Sequence, residues 1–150
     1  MIQASAAIPL PARLPPLNAE KDPLDPLLQL AGDLHAIRAL VIAERSLDLL
    51  CGLIRRGCLA ATAINSGSKA DANDYGVVIA VPKPADFSPE RLTRQVRSGL
   101  APNGKLVACL PNGPSTTAFI RRLRLNGFSV LPPVRLCNLT LLRADLRASS

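Results

Sequence analysis

A chain of 150 residues is long enough for one domain with a single core and too short for two. Hydrophobic residues make up 48% of the sequence, whereas aromatic residues make up only 3% and tryptophan is absent. So few rings argue against a base-stacking platform and against a ring-lined sugar cleft. The net charge of +7 comes entirely from residues 85–150, which carry ten Lys and Arg against three Asp and Glu.

The four cysteines, Cys51, Cys58, Cys109 and Cys137, have no spacing typical of a metal site, alone or with the single His35. We therefore expect free and mostly buried thiols, a surface histidine, no metal and a reducing, cytoplasmic setting. No apolar run reaches the roughly 18 residues that a membrane span requires. Prolines also interrupt the N-terminus, so we expect neither a membrane segment nor a signal peptide.

Proline spacing divides the chain into a tail over residues 1–23, expected to be disordered, and a folded domain over residues 24–150. The domain begins with a predicted short helix that has Asp25 as its N-cap, Pro26 as its first residue and Gly32 as its stop.

Residues 37–64, IRALVIAERSLDLLCGLIRRGCLAATAI, predict a strand, a tight turn, a helix and a second strand. Ser46 is the predicted N-cap of the helix, Asp48 lies in its first turn and Gly57 follows its end. The helix should bury a wide apolar stripe that consists of Leu47, Leu49, Leu50, Leu53 and Ile54.

The second half alternates strands and helices. A polar loop over residues 65–74 precedes a buried strand from Tyr75 to Val81, and Ser88-Pro89-Glu90 begins a helix that ends at Gly99. The sequence then predicts a turn over residues 101–104 and a buried strand over residues 105–110.

A further helix is predicted over residues 115–126, with Ser115 or Thr116 as its cap and Gly127 as its stop. Residues 128–131 and 139–144 predict two closing strands that form an antiparallel return. Helices between buried strands indicate a parallel α/β sheet with right-handed crossovers.

The order of these predicted strands and helices resembles that of class I, S-adenosylmethionine-dependent methyltransferases over about residues 37–146. The segments YGVVIAV, RQVRSGLAPNGKLVACLP, FIRRLRLNGFSVL and LTLLRADL are similar to the family's fourth and fifth strands, their helices and its terminal hairpin. The resemblance implies a three-layer Rossmann-like sheet, mostly parallel, with a C-terminal antiparallel hairpin. Its strand order should be second, first, third, fourth and then the hairpin, with the last strand inserted.

Two departures from the family concern the sheet edge and the cofactor turn. Only residues 65–74 separate the second and third strands, where the family has a helix, a strand and a helix, so the sheet should be shortened by about one strand. The family's acid-x-Gly-x-Gly-x-Gly turn is replaced by Val41, Ala43, Arg45 and Leu47, and glycines there let the backbone approach the ligand closely. We expect the side chains of Arg45 and Leu47 to project into or across the cofactor space.

Two further family positions have also changed. The acid that binds the cofactor ribose corresponds to Asn65, which can still hydrogen-bond a hydroxyl. The acceptor motif of amino-methylating members, [Asp/Asn]-Pro-Pro-aromatic, corresponds to residues 81–84, VPKP, which offer no acceptor for an amino group.

The candidate cofactor-binding residues follow from this alignment, because open α/β sheets bind ligands at the carboxyl ends of their strands. Ser46 and its helix N-terminus can hold an anion with help from the arginine that precedes it; the alternative is a simple helix cap beside solvated charges. The candidates are Ala43, Glu44, Arg45, Ser46 and Asn65.

Two other sets of residues are candidates for a functional site. Arginines recur on two predicted helices, at positions 91, 94 and 97 and at positions 121, 122 and 124, and they form either a solvated basic surface or a phosphate-binding one. Asp71, Asp74 and Asp86 lie near strand ends, but no spacing rule supports a carboxylate pair. We predict no catalytic residue.

Three functional hypotheses follow. The first is a non-catalytic methyltransferase-like domain without a cofactor, which acts by binding or by forming a homodimer through the uncovered sheet edge. The second is an S-adenosylmethionine-dependent methyltransferase with an altered cofactor pocket. The third is phosphate or nucleic-acid binding by the basic C-terminal half.

Overall fold

The computed structural model describes residues 24–44, 46–65, 68 and 74–147. The predicted tail, Arg45 and Asp71 therefore lie outside the described residues. Strands and helices alternate along most of the chain: α1 (Leu24–Ala31), β1 (Arg38–Ala43), α2 (Leu47–Arg55), β2 (Ala60–Ile64), β3 (Tyr75–Val81), a 3-10 turn (Pro84–Asp86), α3 (Pro89–Gly99), β4 (Leu100–Pro111), α4 (Pro114–Leu125), β5 (Phe128–Val130), β6 (Val134–Leu136) and β7 (Leu139–Leu146).

The described strands form one sheet in the order β2-β1-β3-β4-β7-β5, and β6 also pairs with β7. β1 is parallel to β2 and β3, and β3 is parallel to β4. β7 runs antiparallel to β4, β5 and β6 and lies between β4 and β5. This arrangement confirms the predicted fold class, including the antiparallel last strand inserted into a mostly parallel sheet.

Two apolar clusters cover the two faces of the sheet. Residues of α1 and α2, among them Leu27, Leu49 and Leu53, pack on one face against alternate residues of β1 and β3. Residues of α3 and α4, including Val96 and Phe119, pack on the other face. The strands are continuous apolar runs because both of their faces are buried, as is usual for parallel sheets.

Helix α2 differs from its prediction in two respects. Ser46 occupies the N-cap position, but its backbone is helical (φ −107°, ψ −5°) and its side chain makes no capping hydrogen bond. The predicted apolar stripe is also too wide, because α2 buries Leu49 and Leu53 whereas Leu47 is 73% exposed and Ile54 56% exposed. Gly57 ends the helix with a positive φ of 87°, as predicted.

Of the other predicted helix N-caps, Ser88 is confirmed, whereas those of α4 and α1 are wrong. Ser88 caps α3, since its Oγ accepts a hydrogen bond from the Arg91 backbone N–H at 3.3 Å. Helix α4 begins after Gly113, so neither Ser115 nor Thr116 is its cap, and the Thr116 hydroxyl donates to the Pro111 carbonyl instead. Helix α1 begins at Leu24, which places Asp25 inside the helix rather than at its N-cap.

The predicted turn over residues 101–104 lies inside β4. Pairing with β3 shifts register between Tyr75, which is opposite Leu100, and Val77, which is opposite Lys105. Asn103 has a φ of 63°, so a bulge replaces a free turn. The short strand β6 was not predicted.

The described helices include none that is long and apolar enough to cross a membrane. All four cysteines are free thiols; Cys58 and Cys109 are buried, whereas Cys51 and Cys137 are exposed. The expectation of mostly buried thiols is therefore wrong for two of them. His35 is exposed, as predicted.

Candidate functional site

A cavity of about 790 Å³ opens at the carboxyl edge of the parallel strands. Ala43 lies at the end of β1, Val81 at the end of β3 and Cys109 near the end of β4. The chain leaves β1 toward β2 on one side and returns to β3 on the other, so the cavity lies at the point where the strand order reverses. Ligands of open α/β sheets bind at this point. The lining consists of Ala43, Glu44, Asn65, Val81, Pro82, Lys83, Pro84, Asp86, Cys109, Pro111 and Leu139.

Three of the five predicted cofactor-binding residues line this cavity: Ala43, Glu44 and Asn65. Ser46 does not line it, and Arg45 lies outside the described residues. Leu47, which we expected to project into or across the cofactor space, points into solvent instead. Leu47 therefore does not obstruct this ligand-sized space, and the expected obstruction by Arg45 stays a prediction, because Arg45 lies outside the described residues.

Glu44 and Lys83 form an ion pair at the mouth of the cavity. Glu44 follows β1 and Lys83 follows β3, so the pair connects two neighbouring strand ends. Both side chains are about half exposed, and the pair is therefore accessible to solvent. Because the two charges compensate each other, neither is presented alone to a ligand.

The two loops that carry Asn65 and Lys83 are anchored by contacts on the α3 and α4 side of the sheet. Gln95, a buried residue of α3, donates from Nε2 to the carbonyl oxygens of Asn65 (3.3 Å) and Ser68 (2.7 Å). Phe87 packs edge-on against Phe119, with ring centroids 5.8 Å apart. These contacts hold the walls of the cavity in place.

Cys109 is a lining residue that the sequence did not single out. It is buried, and burial raises the pKa of its thiol to about 11. The thiol therefore remains protonated at neutral pH and is a poor nucleophile. Two features could have identified Cys109 as a lining residue: its position near the carboxyl end of a buried strand, and the place of that strand in the centre of the sheet.

Of the three candidate carboxylates, the two in the described residues, Asp74 and Asp86, do not form a pair. Asp74 precedes β3 and is ion-paired with Arg38, which begins β1, whereas Asp86 lies beyond the opposite end of β3 and lines the cavity. Among the described residues, no group of three His, Cys, Asp or Glu side chains could hold a metal ion.

The architecture is similar to that of solved S-adenosylmethionine-dependent methyltransferases. One from Aquifex aeolicus matches with a TM-score of 0.66 at 12% identity, over 88% of this chain and 94% of that one. The precorrin-6y C5,15-methyltransferase of Geobacter metallireducens matches with a TM-score of 0.65 at 11% identity, over 83% and 87%. The magnesium protoporphyrin IX methyltransferase of Synechocystis PCC 6803, solved with bound S-adenosylmethionine, gives 0.60 at 11%, over 86% and 78%.

The chain has the class I methyltransferase fold. No protein-family model and no curated protein sequence matches it. At these levels of identity the likeness concerns the fold of the methyltransferases and not their activity.

The cavity lies at the edge where the resemblance places the cofactor, and the residues at the family's recognition positions are different in this chain. The position of the family's acid is Val41, which is fully buried in the apolar cluster beneath α2. The carboxylate after β1 is Glu44, and Lys83 neutralises it. The described lining therefore has room for S-adenosylmethionine and keeps Asn65, which can hydrogen-bond a hydroxyl, but it has no carboxylate at the two positions of the family's acids.

A second cavity, of about 660 Å³, lies at the opposite edge of the methyltransferase-type sheet. Arg143 Nη1 donates to the Leu30 carbonyl at 3.3 Å, and Lys105 Nζ donates to the Asp33 carbonyl at 3.1 Å. Burial, and secondarily the charge of Arg143, lowers the pKa of Lys105. These two cations hold the end of α1 rather than an open ligand site.

The two arginine-bearing helices, α3 and α4, lie side by side on the same face of the sheet. Glu90 is paired with Arg94 at 2.8 Å and lies 3.8 Å from Arg122. Arg97 donates from Nη1 to the Asn126 carbonyl at 2.6 Å, which joins the two helices. The two arginine sets thus lie on adjacent helices, and all six side chains are exposed; we use the term basic surface for Arg91, Arg94, Arg97, Arg121, Arg122 and Arg124.

Proposed function

We propose that this domain is non-catalytic and acts by binding a small molecule in the cavity between β1, β3 and β4. The observation that carries the proposal is the cavity itself, which has the volume of a small-molecule site and lies where α/β sheets bind ligands. Apolar and proline side chains supply most of its wall, and they favour a ligand that is largely apolar. No resident cofactor is part of the proposal.

The absence of catalysis is argued from the described lining. The Cys109 thiol is protonated at neutral pH, and Glu44 and Lys83 neutralise each other. The loop after β3, Pro82-Lys83-Pro84, offers no group to orient an amino acceptor. Asp86 is the remaining ionisable group of the described lining, and no contact among the described residues positions its exposed carboxylate as a base. Among the described residues, methyl transfer therefore has no positioned group to promote it.

The test is calorimetric titration of the full chain with S-adenosylmethionine and S-adenosylhomocysteine, together with incubation in S-adenosylmethionine and a search for S-adenosylhomocysteine. We expect no saturable heat and no product. Micromolar binding of either compound, or formation of S-adenosylhomocysteine, would overturn the non-catalytic proposal.

The second candidate function is an S-adenosylmethionine-dependent methyltransferase with an altered pocket. It is favoured by one observation: Ala43 and Asn65 still line the cavity, and Leu47 does not fill it. In that case Asn65→Ala should weaken S-adenosylmethionine binding about tenfold, the effect of losing roughly 1.4 kcal/mol from one hydrogen bond. Thr117→Ala, an exposed change on α4, is the matched control and should leave binding unchanged.

We infer a reducing, cytoplasmic setting from the free thiols of Cys51, Cys58, Cys109 and Cys137. Two of these thiols are exposed and would be open to oxidation elsewhere. Labelling of this protein's free thiols in cells, followed by peptide mapping, would test the inference. A stable disulfide between any of the four cysteines would contradict it.

A further inference from the structure

Strand β2 forms one edge of the sheet, and none of the described residues pairs with its outer side. Edge strands commonly carry a lysine, a proline or a bulge, which prevents pairing with another chain. β2 has the sequence AATAI, and its register with β1 is regular from Arg38 opposite Ala60 to Ile42 opposite Ile64. Within its described residues, β2 therefore carries no lysine, proline or bulge that would prevent such pairing.

Helix α2 presents an apolar surface beside this edge. Leu47, Cys51 and Ile54 recur at helical spacing and are all exposed. Gly52 faces α1, since a Cβ there would lie 2.8 Å from Leu28 Cδ1. At about 100° per residue, Ile54 lies roughly 200° around the helix from Gly52, on the side away from α1.

Strand β2 extends the same apolar surface. Ala61 packs into the cluster beneath α2, and side chains alternate along a strand, so Leu59 and Ala63 point to the same side. Leu59 is 69% exposed, and Ala63 is also exposed. We call the combined surface the edge patch, defined by Leu47, Cys51, Ile54, Leu59 and Ala63.

We propose that the edge patch binds a second copy of this chain, with the two β2 strands paired antiparallel about a two-fold axis. The two sheets would join into one continuous sheet, and the small side chains of β2 let the backbones approach. An edge strand that pairs with its own copy satisfies its outer backbone groups in both subunits at once. The proposal does not depend on what the cavity binds.

The charges on α2 favour a second copy in this orientation. Asp48 lies in the first turn of α2 and Arg55 in its last turn, and Arg56 follows. A two-fold axis that makes the β2 strands antiparallel also makes the two α2 helices antiparallel. Each Asp48 then lies near Arg55 and Arg56 of the other copy, so the charges and the helix dipoles are both complementary.

Light scattering coupled to size-exclusion chromatography tests the proposal on the full chain over a concentration series. We expect a mass twice the 15.9 kDa of one chain. Ile54→Lys and Ala63→Lys each place a charge in the edge patch and should halve that mass. Leu125→Lys, at a residue 79% exposed on α4, is the control and should remain dimeric.

A short bismaleimide supplies a second, geometric readout through the native cysteines. Cys51 lies at the centre of α2, so the two Cys51 thiols should approach the axis and become cross-linked. Cys51→Ser should abolish the cross-link, whereas Cys137→Ser, which removes the other exposed thiol, should leave it. A monomer at every concentration, or a dimer that survives both lysine variants, overturns the proposal.

Discussion

The Glu44 carboxylate and the Lys83 ammonium are paired across the mouth of the cavity, and they join the end of β1 to the loop after β3. Exposed ion pairs contribute little to stability, with a median of about 0–1 kcal/mol. The pair therefore affects the molecule mainly through its position, because it spans the entrance between two strand ends.

Removing the Lys83 ammonium should widen the entrance of the cavity. We expect Lys83→Ala to make Cys109, which lines the cavity from β4, react several-fold faster with a small maleimide. Folding stability should change by less than about 1 kcal/mol, because the pair is exposed. Peptide mapping by mass spectrometry follows Cys109 specifically, in a background with Cys51→Ser and Cys137→Ser.

Arg94→Ala removes a different exposed ion pair, with Glu90, and is the matched control. It should leave the labelling rate of Cys109 unchanged. Equal rates for Lys83→Ala and the unmodified background would show that the pair does not restrict access.

The Cys109 thiol should give a characteristic pH dependence. Its pKa is raised to about 11 by burial, so its maleimide labelling should accelerate about tenfold per pH unit up to that value. Labelling that levels off near pH 9 would contradict the raised pKa.

The same raised pKa affects stability at alkaline pH. Between pH 9.0, the ordinary value, and about 11, the unfolded chain ionises this thiol while the folded chain keeps it neutral. The Cys109 contribution to stability is therefore complete below pH 9 and is lost as the pH rises toward 11. Urea denaturation at pH 8 and at pH 10 should show a smaller alkaline loss for Cys109→Ala than for the unmodified chain.

Gln95 should stabilise the loop that carries Asn65. Gln95→Leu removes the donor for the Asn65 and Ser68 carbonyls, and we expect a loss of about 1–3 kcal/mol in the free energy of unfolding. Arg94→Leu on the exposed side of the same helix should cost less than about 0.5 kcal/mol. Urea denaturation compares the two, and equal losses would contradict a specific role for the Gln95 amide.

The basic surface on α3 and α4 remains a predicted site for a nucleic-acid backbone. Glu90 is the single acidic residue in these two helices, which carry six arginines. The association constant for a single-stranded oligonucleotide should fall as the salt concentration rises. On logarithmic axes, the slope should be roughly −1 for each phosphate contacted. Fluorescence anisotropy measures this slope, which Arg121→Gln with Arg124→Gln should reduce.

Lys83→Gln with Arg135→Gln, two exposed cations outside α3 and α4, is the charge-matched control for this surface. It should leave the salt slope unchanged. A flat salt response, or no binding at low salt, would reject the nucleic-acid hypothesis.

Elements with strong local signals were predictable from the sequence. β3 has its predicted bounds because YGVVIAV is an uninterrupted apolar run bounded by a polar loop and prolines. α3 begins and ends as predicted: the Ser88 side chain caps it, Pro89 is its first residue and Gly99 its last. The strand order followed from the resemblance, since the order of elements along this chain does not by itself give their order in the sheet.

Features that depend on tertiary packing were predicted less well. Leu47 and Ile54 have helical spacing but remain exposed, because the sheet beneath α2 ends at β2 and nothing in the described residues covers them. Ala43 and Asn65 were chosen as strand-end residues, and the cavity includes both. Cys109 and Leu139 join them because the end of β4 and the beginning of the antiparallel strand β7 lie at the same edge, which no local pattern encodes.

The position of β7 has a consequence for synthesis and folding. The last strand in the chain is an interior strand of the sheet, where it pairs with β4, β5 and β6. During translation, β4, β5 and β6 are synthesised before residues 139–146, so they cannot pair with β7 until those residues follow. We expect the sheet to be completed only once β7 has been added, and a chain that stops before Leu139 would leave three unpaired strand edges open to aggregation.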